Sequence, residues 1–152
     1  MKQERESGAA YVRKLPDDAQ LLHRAEYVMR WGDMDAFGHL NNAVYFTYFE
    51  QARVDWLHSL DADHALVLAN ISCTFLKALK YPATLQVRLY AGRPGRSSLP
   101  SYYELCDSRA PDELCAIAHG TIVWFDHAAG HSTVIPEVVR KCLDDSGQPG
   151  PV

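Results

Sequence analysis

The stretch Trp31–Glu50 (WGDMDAFGHLNNAVYFTYFE) concentrates the side chains able to do chemistry, with Asp33, Asp35, His39, Asn41 and Asn42 standing directly ahead of an aromatic-rich run. A helix beginning at that run offers first-turn backbone N–H groups without intrahelical acceptors, at the positive end of the helix dipole. Such amides suit a polarised carbonyl oxygen, and one well-placed donor is worth about 2.7–4 kcal/mol in the transition state. A carboxylate nearby serves as general base toward water or attacks directly. Acyl transfer to water is the reaction these parts fit. Each residue also has a plain structural use. Asp33 and Asp35 are turn formers that bond their own backbone, Asn41 or Asn42 is a helix cap, and His39 is a core residue. Two Asp and one His crowded against a helix start exceed what capping alone needs.

The elements that must position these residues follow from hydrophobic period. Ala25, Tyr27, Met29 and Trp31 alternate with Arg24, Glu26 and Arg30, which predicts a half-buried strand over 24–31. In 43–60, Tyr45, Phe49, Ala52 and Trp56 recur at helical spacing, and Phe46 and Leu57 widen the stripe. About 16 residues at 1.5 Å each give a helix about 24 Å long, expected to be buried on most sides. Alternation then predicts strands at Leu66–Leu76, Thr84–Ala91, Ser101–Cys106 and Leu114–Phe125, with Val67, Ala69, Ile71, Cys73 and Phe75 on one face of the first. The turn signals GRPGRSS and Asp107–Asp112 join the later three into an antiparallel meander. Pro136 opens a short last helix, PEVVRKCL. The order, one strand, a long apolar helix, then four strands, predicts an α+β domain whose sheet wraps the helix.

Composition bounds the rest. Of 152 residues 47% are hydrophobic and 22% charged, with a net charge of −4. That excludes a disordered chain and supplies one sizeable core. A mildly acidic chain lacks the basic field of a non-specific nucleic-acid binder, so no nucleic-acid partner is expected. Cys73, Cys106, Cys115 and Cys142 form no C-x-x-C pair and read as small apolar residues of a reducing compartment. The opening MKQERESGAAYVRKLPDDAQ lacks a signal-type apolar core, and no membrane-length apolar run follows, so a cytoplasmic protein without a membrane partner is expected. Residues 1–20 read as a flexible arm, 21–143 as a single domain, and 144–152 as a flexible tail.

The string Asp33-Met-Asp35-Ala-Phe-Gly38-His39-Leu-Asn41-Asn42-Ala-Val-Tyr45 resembles the D-x-D-x-x-G-H-x-N-N-x-x-Y signature of hotdog-fold acyl-CoA thioesterases of the 4-hydroxybenzoyl-CoA thioesterase-like family. Arg93–Leu99 and the ending from Glu113 to Leu143 resemble the family's basic turn, last long strand and Pro-initiated helix. The resemblance implies a hotdog fold, a five-stranded antiparallel sheet around one central helix plus a short C-terminal helix. It implies an acyl-CoA substrate and no cofactor or metal. It further implies a homodimer, or a dimer of dimers, with the site at the subunit interface. By the same resemblance Asp35 is base or nucleophile, the Asn42 N–H polarises the thioester carbonyl, and His39 is catalytic. Asp33, Gly38, Asn41 and Tyr45 support the pocket. Glu50 is either a supporting acid or a partner of Arg53. CoA phosphates call for cations at one rim, and Arg93 and Arg96, with Ser97 and Ser98, are favoured over Lys77 and Lys80.

Other chemistries fit less well. Asp33, Asp35 and His39 with His119, His127 or His131 form no H-x-x-x-H or H-E-x-x-H pattern that would support a metal site. The hotdog hydratase pattern D-x-N-P-x-H puts His five positions after Asp, whereas His39 lies four after Asp35 and six after Asp33. No G-x-S-x-G elbow or Gly-rich phosphate loop occurs. An acyl-carrier-protein thioesterase and a non-catalytic acyl-binding module remain as alternatives.

Overall fold

A computed structural model of the protein describes residues 11–60 and 65–146. The elements run β1 (Gln20–Val28), a 3-10 turn (Trp31–Asp33), α1 (Asn42–Ser59), β2 (Leu66–Phe75), β3 (Thr84–Ala91), β4 (Ser98–Asp107), β5 (Ala116–Asp126), β6 (His131–Ser132) and α2 (Glu137–Ser146). Every strand pairing is antiparallel, and the sheet order is β1-β3-β4-β5-β2, with β6 added to β5. The expected five strands are thus joined by a sixth, whose two residues are too few to show an alternation. Much of the expected arm and tail, residues 1–10 and 147–152, lies outside the described residues, while α2 runs through Ser146, three residues into the stretch assigned to the tail.

Strict alternation builds the sheet's inner face. Leu85, Val87, Leu89 and Ala91 of β3 are fully buried, as are Leu99, Tyr103 and Leu105 of β4 and Ala116, Ala118 and Ile122 of β5. Each large aliphatic side chain so buried is worth about 1.5–3 kcal/mol. The helix α1 lays Tyr45, Tyr48, Phe49, Ala52, Trp56 and Leu57 on that face, and Phe49 stacks on Tyr103 with ring centroids 5.1 Å apart. Its burial is one-sided, not all-round: Ala43, Thr47, Glu50, Gln51 and His58 are exposed. A closing helix then covers one end, with Ile135, Val139 and Leu143 buried. Pro136 sits just ahead of α2, its carbonyl accepting from Val139 and Arg140 N–H, one position earlier than its expected place inside the helix.

Two expectations of alternation fail, at the end of β1 and within β2. Trp31 is 72% exposed, because β1 stops at Val28 and the chain turns into the 3-10 segment, which breaks the alternation. In β2, Ala69 is exposed and Phe75 is 40% exposed. A register shift between Leu68 and Asn70 resets the side-chain faces, and β2 is an end strand of the sheet with one unpaired backbone edge. Among the described residues no helix is long and apolar enough to cross a membrane.

Candidate active site

Asp33 organises the loop that leads into α1. It is 3% exposed. One carboxyl oxygen accepts from Arg30 Nε at 3.0 Å and lies 2.7 Å from Arg30 Nη2. The other accepts from the Arg30 backbone N–H at 3.1 Å and from the Tyr48 hydroxyl, one and a half turns into α1. Its own carbonyl takes the Asn41 N–H at 2.9 Å. Burial opposes ionisation of Asp33, but the Tyr48 hydroxyl and the Arg30 guanidinium outweigh it and hold the carboxyl below the usual carboxylate range. Asp33→Ala should therefore cost about 2–3 kcal/mol, the scale of lost hydrogen bonds to a buried charge. A carboxyl with a lowered folded pKa adds stability fully above the unfolded value of about 3.9, and loses it as pH falls through the folded value. Urea denaturation of both proteins from pH 7 to pH 3 should show the penalty shrinking in acid; a constant gap would mean that charge is not what Asp33 contributes.

Above Asp33 the chain folds back on itself. Met34 pairs with Leu40, the Asp35 N–H donates to the His39 carbonyl at 2.8 Å, and the Leu40 N–H donates to Leu79 at 2.8 Å. Asp35 Oδ1 accepts from the Phe37 N–H at 2.9 Å and the His39 N–H at 3.4 Å. Gly38 turns the tip with φ of 77°, a left-handed conformation that favours glycine. One oxygen of half-buried Asp35 thus holds the turn, while Oδ2 carries no partner among the described residues. The turn-former and catalytic readings of Asp35 use different oxygens.

The helix start completes the arrangement. Asn41 is the N-cap: its Oδ1 accepts from Ala43 N–H at 3.0 Å and its carbonyl from Val44 N–H at 2.8 Å. The next residue, Asn42, is exposed, and its N–H has no acceptor among the described residues. His39 is half-buried, and its ring likewise has no partner there. Tyr45 is buried, its ring edge-on to Phe75 at 4.9 Å, and burial pushes its phenol well up, so it stays protonated. Glu50 is exposed and does not pair with Arg53, which is buried and donates instead to the Tyr103 hydroxyl at 3.0 Å.

A family model described as the thioesterase-like superfamily matches residues 29–143. The chain belongs to that superfamily. Membership bears out the resemblance drawn from Asp33–Tyr45, together with the hotdog architecture of an antiparallel sheet on one long helix. Among solved structures, this thioesterase-like chain is 41% identical to the PA2801 protein of Pseudomonas aeruginosa, a candidate thioesterase. That match covers 82% of this chain and 99% of that one, with a TM-score of 0.79. It is 31% identical to a candidate acyl-CoA thioesterase of Xanthomonas campestris, over 71% of this chain and 96% of that one, at a TM-score of 0.67. A Thermus thermophilus thioesterase solved with coenzyme A and zinc is 27% identical, covering 86% and 98% of the two chains, at a TM-score of 0.70. Among curated proteins, the chloroplast acyl-acyl carrier protein thioesterase ATL2 of Arabidopsis thaliana is 27% identical over 129 residues, which is 79% of this chain and 67% of that protein. YsmA of Bacillus subtilis matches over 54% of its length, so the chain spans about half to two-thirds of these curated relatives.

The expected cations of the thioesterase-like chain fall into two groups. Lys77 and Lys80 line a cleft of about 390 Å³ with Leu79, Asp107, Arg109 and Glu113, at the sheet end that carries the Asp35 loop. Lys77 pairs with Glu113, and Arg109 with Asp107 at 2.6 Å. Arg93, Arg96 and Ser97 occupy the β3–β4 turn and Ser98 opens β4 at the other end, one strand length away, roughly 23 Å at 3.3 Å per residue. Arg140 of α2 holds that turn by donating to the Gly95 carbonyl at 2.6 Å, leaving Arg93 and Arg96 exposed. The six residues do not share a rim. A groove of about 450 Å³ between β1 and α1, lined by Tyr27, Arg30, Thr47, Tyr48 and Gln51, is likewise not lined by Asp35, His39 or Asn42. Sequence reasoning missed Tyr48, Arg30 and Arg140. Tyr48 reads along the sequence as one of the aromatics of 45–49 suited to an acyl group, and nothing local joins it to an aspartate 15 positions earlier.

Proposed function

We propose that this protein is an acyl-CoA thioesterase, releasing the free acid and CoA without a cofactor. The observation that carries this reading is one loop, pinned by Asp33, that presents a carboxylate oxygen and a helix-start N–H, both without partners among the described residues. Asp35 Oδ2 takes a proton from water, and the hydroxide adds to the thioester carbonyl. The developing oxyanion meets the Asn42 N–H and the positive end of α1. Collapse expels the CoA thiolate, which takes up the proton. If Asp35 attacks directly, the C–S bond breaks, the CoA thiolate leaves and a mixed anhydride forms on Asp35. Water then opens it to the free acid and the Asp35 carboxylate, and its released proton goes to the thiolate. His39 borders the carboxylate and orders the pocket. The likeness to a candidate acyl-CoA thioesterase of Xanthomonas and to a Thermus thioesterase solved with coenzyme A supports a CoA thioester, and the plant relative keeps the acyl-carrier protein as the alternative carrier.

The working unit in this reading is a homodimer. The unpaired edge of β2 and the exposed Phe75 call for cover. A two-fold partner also resolves the split of cations, since the β3–β4 turn of one subunit then serves the loop of the other. Release of free thiol from a panel of acyl-CoA and acyl-carrier-protein thioesters tests the function. Turnover of an enoyl thioester without thiol would replace hydrolysis by hydration, and binding without turnover would leave an acyl-binding module. At the rim, Arg96→Ala should raise KM for acyl-CoA several-fold while leaving KM for the matching acyl-pantetheine unchanged. An equal KM for acyl-CoA in both proteins would remove Arg96 from nucleotide binding.

A further inference from the structure

Arg53 carries a charge that this subunit does not balance. It is 7% exposed, a guanidinium is a permanent cation, and of its five N–H donors one is met by the Tyr103 hydroxyl at 3.0 Å. Among the described residues no carboxylate pairs with it. A buried charge without a counter-charge is strongly unfavourable. Glu50 presents the opposite case, exposed and without a partner among the described residues. At 100° and 1.5 Å per residue the two lie about 60° apart around α1 and about 4.5 Å apart along it. Phe46, half-buried, and Leu57 share that flank. An acid and a base side by side on one helix flank are self-complementary under a two-fold axis, because each then meets its opposite in the other copy.

We infer that Glu50 of the partner subunit supplies the carboxylate for Arg53, and reciprocally, so that two ion pairs set the two α1 helices in register across the homodimer axis. The inference rests on the dimeric thioesterase reading above. Arg53 is here a positioning residue. By fixing α1 it fixes the helix start that carries the Asn42 N–H, and makes each site depend on both copies.

Reversed charges test this by sedimentation equilibrium and thiol release. E50R places Arg against Arg across the axis, and R53E places Glu against Glu, so each alone should be monomeric and poorly active. Mixed, they should form a heterodimer in which both pairs are again Arg–Glu, with dimer and activity recovered together. An ion pair inside one subunit gives no such recovery, since the like charges stay within each chain. E50Q, an exposed and conservative change, should raise the dimer Kd at least tenfold, and it decides the matter if R53E does not fold. A dimer Kd for E50Q equal to wild type, or a mixture that stays monomeric, would overturn the pair while leaving the dimer standing. A wild-type protein that sediments as a monomer would overturn both.

Discussion

Asp35→Asn should fold and bind acyl-CoA as the wild type does, yet lose about 10²- to 10⁴-fold in kcat, the range for a positioned proton-transfer group. The substitution is selective because the two oxygens of Asp35 have different duties. Oδ1 accepts the Phe37 and His39 N–H groups, and an amide oxygen in the same place keeps both bonds. What disappears is the charged Oδ2 that would take a proton or attack the carbonyl. Thermal melting should therefore move little, and KM should stay close to its wild-type value while thiol release collapses. Turnover within a few-fold of wild type would take Asp35 out of the mechanism and leave it as a turn former.

Asn42→Pro is the complementary experiment, since it deletes one hydrogen atom from the machinery. Proline is favoured at the first position of a helix, where its missing N–H is not used by the helix itself. The residue before it must be extended, and Asn41 already is, with φ −63° and ψ 131°. The exposed position has room for the ring, and the cap bond from Ala43 N–H to Asn41 is untouched. We expect a folded protein with kcat reduced about 10²- to 10³-fold, the measured scale for one oxyanion donor. Asn42→Ala keeps the amide and should retain most of the activity. If the alanine variant is as slow as the proline variant, the side chain of Asn42 matters, not its N–H.

The candidate residues could be picked out because they are contiguous. Asp33 to Tyr45 form one loop and one helix turn, and local backbone geometry is a property of neighbouring residues: Gly38 at the left-handed tip, Asn41 at the cap, aromatic residues at helical spacing beyond. Strict alternation in Thr84–Ala91 likewise announced a buried face that the sheet realises residue for residue. Where alternation is interrupted by a register shift, as between Leu68 and Asn70, the pattern along one strand no longer says which face a side chain takes. The partner of a long side chain is equally hidden. Spacing of three along a helix offered Glu50 to Arg53, but the guanidinium turned inward to Tyr103, 50 positions away, because the sheet passes beneath that turn of α1.

Chain order and periodicity were sufficient for the class of domain and for the helix start at Asn41–Asn42, since these depend on interactions within a few residues. Which oxygen of Asp35 is spent on the turn, that Asp33 is locked by Tyr48 and Arg30, and that the cations divide between the two ends of the sheet all came from folding. The bonds of Asp33 to Arg30 and of Asp35 to Phe37 and His39 are local, but residue type alone does not fix which side-chain atom makes them. The Asp33–Tyr48 bond spans 15 positions and the two cation groups sit on different turns of the sheet, and a linear pattern holds no record of the angle at which a helix crosses a sheet.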